Sequence, residues 1–296
     1  MAAPRNPKPA VRRRPARKPS AVHPDNTLND LTGAEWLYWS RSLIDRPYPH
    51  ELGHDLRKRH GGNKPPGLMA DLIRLFTKPG ELVLDPFAGV GGTLLGAAVS
   101  GRRALGIEIN PEWAGVYREV CRRENLEPFP VETGDALRVV PELVERLGEG
   151  FAGFVATDPP YGLNFERTMC APAAKGRAAS HPLRRTDLAR FSEIEGDLSQ
   201  SVDFESFFAR LGEVFARLLP AVKPGGYAAV ILRNAYQQGR YIQVAAEAAR
   251  RAEAAGWRLK GEFIWYVPGT RLRPYGYPRA FVPNIAHQNV LVLRRE

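Results

Sequence analysis

The sequence is poor in cysteine and lacks long apolar runs. Only two cysteines, Cys121 and Cys170, occur among 296 residues, so neither a disulfide framework nor a cysteine-rich metal site is expected. No apolar stretch approaches the roughly 18 residues that a membrane span needs, and no secretory signal pattern opens the chain. These absences favour a reducing, cytoplasmic setting without a membrane or a metal ion. An apolar content of 44% can still support a sizeable core.

Acidic residues are also absent from one end of the chain. Residues 1–20 hold seven of the 42 Arg and Lys residues and no Asp or Glu, so 35 basic residues balance 32 acids in the remainder. This segment is rich in proline and cannot bury enough apolar surface to fold. We therefore predict a disordered basic tail over 1–24. It is either a solubilising tail or a loose arm that binds a polyanion through salt-sensitive contacts.

From residue 82 onward, short apolar runs alternate with helical patterns. This alternation predicts an α/β fold with a mostly parallel sheet over one domain, 25–296. No helical pattern separates the last two strands, near 260–266 and 289–293, so they should form a long hairpin with a reversed final strand. The fold class is thus a Rossmann-like sheet of seven strands with the last strand antiparallel. Helices are expected at about 91–100, 111–124, 138–147, 203–219 and 240–255.

Two segments fall outside this alternation. Residues 163–202 are polar, with a basic centre that includes Arg184 and Arg185, and we expect an inserted loop there. The aromatic stretch around Trp36 and Trp39 is interpreted as core packing against the sheet, with a nucleic-acid stacking surface as the alternative.

Four acids occupy equivalent places in successive βα units. Asp85, Glu108, Asp135 and Asp158 each follow a predicted strand and are separated by 23, 27 and 23 residues. Ligands of an open parallel sheet bind outside the carboxyl ends of its strands. We therefore expect the four carboxylates to line one crevice.

The loop after the first of these strands indicates the ligand. Asp85 stands directly before a glycine-rich turn, where a phosphate would be repelled, so a dinucleotide is disfavoured. S-adenosylmethionine (SAM) carries no phosphate and is cationic, and Glu108 and Asp135 are placed for its ribose hydroxyls and its adenine amino group. An ordinary tight turn is the alternative. The cofactor-binding residues predicted in the loop are Phe87, Gly89, Gly91 and Thr93.

The fourth acid begins a stiff aromatic bend. Asp158, Pro159, Pro160 and Tyr161 end an apolar strand, because proline can neither continue a helix nor donate to a sheet. The carboxylate and the Pro159 carbonyl could accept both N–H groups of an exocyclic base amine while Tyr161 stacks on the base. These four residues are the predicted catalytic group, and the target base must be flipped out or unpaired. A structural turn is the alternative.

These motifs resemble amino-directed, SAM-dependent DNA methyltransferases, which act on adenine N6 or cytosine N4. Asp85–Thr93 looks like their glycine-loop motif, and Asp158–Tyr161 looks like their catalytic Asp-Pro-Pro-Tyr. Asn63–Met69 is similar to their segment that closes over the methionine end of SAM, which implies that Lys64 and Pro65 bind the cofactor. The resemblance covers about 25–296 and implies a nucleoid-associated enzyme. It leaves open whether the enzyme has a partner restriction nuclease and whether it is a monomer or a dimer.

Target recognition must lie outside the motifs themselves. The large recognition domain of the family is missing, so the 163–202 insertion and the 267–286 hairpin are the candidates. The hairpin interleaves arginines with aromatic residues, as nucleic-acid surfaces do, although hairpin packing with solvated arginines is the alternative. The predicted nucleic-acid contacts are Arg184, Arg185, Arg271, Arg273, Tyr275, Tyr277 and Arg279.

The acid that opens the catalytic motif favours adenine N6, because cytosine N4 members of the family more often begin with serine. The stretch Thr157–Gly162 also looks like tRNA guanine-N2 methyltransferases, which usually carry an added RNA-binding domain, and residues 1–60 are too short to form one. DNA is therefore the favoured substrate and RNA the alternative. A binding module without catalysis should have lost part of the motif set, and none of it is lost.

Overall fold

The computed structural model describes residues 21–160, 194, 196–237 and 239–296. The predictions for the 1–20 segment and for most of the 163–202 insertion, including Arg184 and Arg185, lie outside these residues. Before the main alternation, Val22 forms a bridge with Thr32. The elements that follow it are α1 (Gly33–Trp39), β1 (Leu43–Ile44), α2 (His54–Arg57), a 3-10 turn (Lys58–His60) and α3 (Pro66–Phe76).

The predicted βα alternation begins at Leu82. Its first half is β2 (Leu82–Asp85), α4 (Gly92–Val99), β3 (Arg103–Glu108), α5 (Pro111–Arg123), β4 (Val131–Thr133), α6 (Ala136–Leu147) and β5 (Ala152–Thr157). Its second half contains a 3-10 turn (Leu198–Gln200), α7 (Phe204–Leu218), β6 (Val222–Leu232), β7 (Ala235–Gln237), β8 (Arg240–Ile242), α8 (Val244–Ala254), β9 (Trp257–Tyr266) and β10 (His287–Arg295).

One large sheet carries the fold. Within the described ranges it has eight strands in the order β1-β9-β10-β6-β5-β2-β3-β4. The strands β2 to β6 pair in parallel, whereas β10 is antiparallel to both β6 and β9. The predicted reversed last strand is therefore confirmed. The strand β1, which the sequence pattern did not predict, is a short eighth strand parallel to β9 at the edge of the sheet.

Helices cover both faces of this sheet. Successive strand residues point to opposite faces, so Val83 and Phe154 enter a core with α3, α4 and α5. Their neighbours Leu84 and Val155 enter a second core with α6, α7 and α8. A fully buried β5 between these two cores explains why its sequence reads as a continuous apolar run.

A close helix contact holds the chain before β2 against the glycine-rich turn. A Cβ atom at Gly96 of α4 would lie 2.7 Å from the Cβ of Met69 and 2.9 Å from the carbonyl oxygen of Pro66, both in α3. Only glycine permits this approach without a shift in one of the helices. The contact holds the start of α3, and with it Lys64 and Pro65, beside the turn that precedes α4.

Two local predictions are wrong. The helix expected from residue 240 begins at Val244, because β7 and β8 first form a short antiparallel hairpin; Asn234 then accepts the backbone N–H of Ala245 at 3.1 Å. The predicted core packing is also wrong for Trp36, which lies on α1 and is 40% exposed. Trp39 does pack against the core, with the Arg46 guanidinium 4.5 Å from its ring centroid.

Two expected absences can be examined in the described part of the chain. None of its helices combines the length and apolar character that a membrane crossing requires. Its His, Cys, Asp and Glu side chains form no group of three suited to a metal ion. Cys121 is a buried free thiol.

Candidate active site

All four predicted acids lie at the carboxyl edge of the parallel strands. Asp85 and Glu108 are the last residues of β2 and β3. Asp158 directly follows β5, and Asp135 lies between β4 and α6. Because these strands are neighbours in the sheet, the four residues line one edge, as their spacing predicted.

Asp85 is a buried acid tied to the neighbouring strand. The Thr157 hydroxyl donates to its Oδ1 at 2.7 Å, and the backbone N–H of Phe87 donates to the same oxygen at 3.0 Å. Burial raises the pKa of Asp85, although these hydrogen bonds oppose the shift. A buried carboxylate beside a crevice favours a cationic ligand over an anionic one.

The turn after Asp85 brings backbone to the crevice. Gly89 and Gly91 have φ angles of 50° and 78°, a conformation that side chains disfavour. A Cβ atom at Gly91 would also lie 2.1 Å from the Tyr117 ring. Thr93 of α4 donates its hydroxyl to the Ala156 carbonyl at 3.2 Å. The turn is thus fixed against β5 with little space for other side chains.

Glu108 supports the turn from the next strand. Its two oxygens accept the backbone N–H groups of Gly89 at 2.7 Å and of Asn110 at 2.8 Å. Burial raises the pKa of Glu108 to about 7 in spite of these donors. A carboxylate offers about four acceptor positions, so acceptor capacity remains on Glu108 for two hydroxyl groups of a ligand.

Asp135 has a structural partner at each oxygen. It caps α6 by accepting the Leu137 N–H at 2.9 Å, and its other oxygen lies 3.4 Å from the Arg210 guanidinium. The adenine contact predicted for it stays a prediction. Sequence analysis missed Asp197, which is buried and close enough to add to the raised pKa of Glu108. It was hidden because we assigned residues 163–202 to an insertion.

The segment before α3 lies over the glycine-rich turn. The buried Arg57 donates to the Lys64 carbonyl at 2.5 Å, and the Asn63 amide donates to the Arg57 carbonyl at 3.0 Å. A Cβ atom at Gly92 would be 2.9 Å from that Lys64 carbonyl oxygen. This segment therefore lies beside the glycine-rich turn, whereas its closure over the cofactor and the cofactor contacts of Lys64 and Pro65 stay predictions.

The Lys64 side chain reaches the predicted catalytic motif. Its ammonium forms an ion pair with Oδ2 of Asp158. Burial raises the pKa of Asp158 to about 6, and the Lys64 charge opposes that rise. Oδ1 of Asp158 is buried and has no hydrogen-bond partner among the residues that the structure describes. Pro159 is buried, Pro160 is half-buried, and Tyr161 lies outside the described residues.

The predicted nucleic-acid residues that can be placed lie at the same edge of the sheet. Residues 267–286 join the end of β9 to the start of β10, where His287 pairs with Tyr266. The aromatic side chains of Tyr277 and Phe281 are 81% and 87% exposed. The other predicted contacts in this connection are exposed or, for Arg273, half-buried: Arg271, Arg273, Tyr275 and Arg279.

A second feature at this edge was missed from the sequence. The β7–β8 hairpin follows the carboxyl end of β6 and pairs Tyr236 with Tyr241. Arg233, just before the hairpin, donates to the Ile285 carbonyl at 2.5 Å, so this region contacts the 267–286 connection. The helical pattern of α8 had been extended over these residues, although Gly239 within them could have indicated a turn.

Comparison with known proteins finds similarity to methyltransferases. Residues 11–118 match the family model for DNA methylases. The DNA adenine methyltransferase YhdJ of Escherichia coli is 44% identical over 59 residues, which is 20% of each chain. A tRNA (guanine(10)-N2)-dimethyltransferase of Methanocaldococcus jannaschii is 33% identical over 126 residues, 41% of this chain and 36% of the relative.

Other similar proteins are also methyltransferases. Type II methyltransferases are among the similar proteins. TrmN from Thermus thermophilus has a similar fold, with a TM-score of 0.50 and 18% identity over 81% of this chain and 53% of its own.

The matched segments span less than half the length of the curated relatives. The family match also ends before the predicted catalytic residues. Within those limits the comparisons agree with the resemblance read from the sequence: this chain is similar to methyltransferases of the N6/N4 family.

Proposed function

We propose that this protein transfers a methyl group from SAM to an exocyclic amino group of a DNA base, adenine N6 in the first place. The observation that carries the proposal is the Asp158 carboxylate. It lies at the carboxyl edge of the sheet, it is largely buried, and within the described ranges its Oδ1 lacks a donor. An amine N–H is a group that would satisfy this oxygen.

The residues around the crevice fit SAM. Asp85 and Glu108 place buried carboxylates where a cation and two hydroxyl groups can be received, and Gly89 and Gly91 give the turn between them its left-handed backbone. When bound, SAM supplies a methyl group activated by its sulfonium. Asp85, Glu108 and the glycine-rich turn would hold it, with Asp135 as a further predicted contact.

Asp158 would act on the nitrogen that receives the methyl group. The lone pair of an exocyclic amine is delocalised into the base, so the nitrogen is a poor nucleophile. Accepting one N–H at Asp158 and the other at the Pro159 carbonyl would favour a pyramidal nitrogen with its lone pair directed at the methyl group. Asp158 is then placed to accept the proton that the methylated nitrogen must lose.

A paired base cannot enter a crevice at the edge of a sheet, so the target must be flipped out or unpaired. The exposed arginines and aromatic rings of the 267–286 connection offer phosphate contacts and stacking surfaces at that edge. The β7–β8 hairpin extends this surface with Arg240 and Tyr241, both exposed. We propose this combined surface as the DNA contact and target-recognition region, with the basic 1–24 tail as an added arm.

Adenine is favoured over cytosine by the acid that opens the catalytic motif and by the similarity to the adenine methyltransferase YhdJ. Cytosine N4 is the alternative within DNA. A second candidate, N2 of guanine in tRNA, is supported by the tRNA dimethyltransferase of M. jannaschii, which matches a longer part of this chain than YhdJ does.

One experiment separates these candidates. The protein is incubated with SAM labelled in its methyl group and with DNA or tRNA, and the products are digested to nucleosides and identified. We expect N6-methyl-2′-deoxyadenosine from DNA, and none with the Asp158→Asn variant. N2-methylguanosine from tRNA would replace the first proposal by the second, and label in neither nucleic acid would overturn both.

A further inference from the structure

The ion pair between Lys64 and Asp158 is shielded from solvent. The two side chains are 7% and 16% exposed. Lys64 lies in the segment before α3, far from Asp158 in the sequence, so only the fold brings the two charges together. A buried charge that loses its partner is strongly destabilised. The charge state of Asp158 must therefore depend on Lys64.

The pair involves only one side of the carboxylate. Lys64 contacts Oδ2, and Oδ1 is buried without a donor from the described residues. Buried acceptors without a donor are uncommon, and each calls for an explanation such as a catalytic role. The contact with Lys64 thus sets which oxygen of Asp158 is left for a ligand.

Lys64 is itself held by its backbone. Arg57 is 1% exposed and donates to the Lys64 carbonyl, and that carbonyl packs on Gly92 at the start of α4. The ammonium therefore extends from a fixed point between the glycine-rich turn and the catalytic motif.

We propose that Lys64 is a positioning residue, which keeps the Asp158 carboxylate ionised and turned so that Oδ1 meets the N–H of the target amine. This inference rests on the proposed function. It differs from the cofactor role that the resemblance implied for Lys64, because the ammonium would act through Asp158.

The surrounding charges agree with this role. Asp85 faces Asp158 and raises its pKa further, so Lys64 is the cation that opposes both burial and a second carboxylate. Around Lys64 itself, burial lowers the pKa of His60 to about 4 and that of Arg57 to about 10. At neutral pH His60 is therefore uncharged and Arg57 remains a cation directed at a carbonyl.

The kinetic test compares Lys64→Met with Lys64→Arg. Single-turnover methyl transfer is measured from pH 5.5 to 9 at saturating SAM. We expect Lys64→Met to lower the rate at pH 5.5 by about tenfold and the rate to recover toward high pH, since each unit of raised pKa costs about a factor of ten below that pKa. In Lys64→Arg, the acid limb of the pH–rate profile should stay near that of the unmodified protein.

Two controls define the outcome. The exposed Lys58, in the same segment, should leave the profile unchanged when replaced by Met. SAM affinity of Lys64→Met should stay within a few-fold, and a loss beyond about tenfold with an unmoved acid limb would assign Lys64 to the cofactor and overturn the proposal. A faster Lys64→Met enzyme would also overturn it, since Lys64 would then be blocking the site.

A second measurement needs no catalysis. The carboxyl carbon of Asp158, assigned by comparison with Asp158→Asn, is titrated by carbon-13 NMR in both proteins. We expect a pKa higher by about one unit or more in Lys64→Met, and an unchanged pKa would overturn the inference. If the pKa rises but the unmodified protein methylates no nucleic acid, the proposed function is wrong and the electrostatic role of Lys64 stands.

Discussion

The two sides of the crevice are built in opposite ways. On the cofactor side, Glu108 is 8% exposed and both of its oxygens accept backbone N–H groups, while Gly91 leaves no space for a side chain. On the recognition side, Tyr277 and Phe281 are more than 80% exposed. One side is thus part of the folded core and the other is a surface.

Folding stability and nucleic-acid recognition should therefore depend on different residues. Residues of the cofactor side are fixed by strand ends and a glycine-rich turn, so substitutions there should change stability and cofactor affinity together. Residues of the 267–286 connection support little of the core, so substitutions there should change nucleic-acid binding while stability stays within about 0.5 kcal/mol. The predictions below test that separation.

The largest effect is expected where the two sides meet. Asp158→Ala removes the acceptor proposed for the target amine and should lower methyl transfer by at least about 10³-fold. SAM affinity, measured by calorimetry, should remain within a few-fold. Asp25→Ala, whose side chain is 91% exposed, is the matched control and should leave both quantities unchanged. Retained turnover in Asp158→Ala would remove the catalytic assignment.

The next effect tests the rigidity of the cofactor side. Gly91→Ala combines a left-handed backbone with an overlap on the Tyr117 ring, and should lower the free energy of unfolding by about 2–5 kcal/mol. Gly115→Ala is a matched control within α5, where nothing lies within 4 Å of the added carbon. It should stabilise the helix by about 0.5–1 kcal/mol. Equal denaturation midpoints for the two variants would contradict the tight turn.

The sequence predicted the positions of the four acids well because those positions follow from periodicity. The strand pattern and the regular spacing of Asp85, Glu108, Asp135 and Asp158 imply one sheet edge, and the structure places all four there. The two final strands also form the expected hairpin, because no helical pattern separates them.

The features that sequence analysis missed depend on tertiary contacts. The ion pair of Lys64 with Asp158 joins two distant segments, and no local pattern in either one predicts it. The strand β1 has only two residues and forms because β9 offers it an edge. Trp36 was expected in the core because aromatic residues usually pack, yet the short α1 leaves it at the surface.

The third prediction concerns the affinity of the cofactor side. Glu108→Ala removes the acceptor proposed for the ribose hydroxyls and also leaves the Gly89 and Asn110 N–H groups without it. SAM binding should weaken by about 1.5–3 kcal/mol, which is roughly 10- to 150-fold in Kd. Glu112→Ala, four residues along and 60% exposed, should bind SAM as the unmodified protein does. Equal Kd values for the two variants, measured by calorimetry, would contradict the role of Glu108.

The smallest effects are expected on the recognition side. Tyr277→Ala should weaken DNA binding by about 1 kcal/mol if the ring stacks on a base. Arg279→Ala should remove one phosphate contact, so the slope of log affinity against log salt concentration should fall by about one. Arg258→Ala is the control, since this exposed residue lies at the amino end of β9, on the opposite edge of the sheet. Fluorescence anisotropy at several salt concentrations measures all three. A larger loss of binding from Arg258→Ala would move the DNA to the other edge, because a duplex that contacts the amino ends of the strands could not present a base to Asp158.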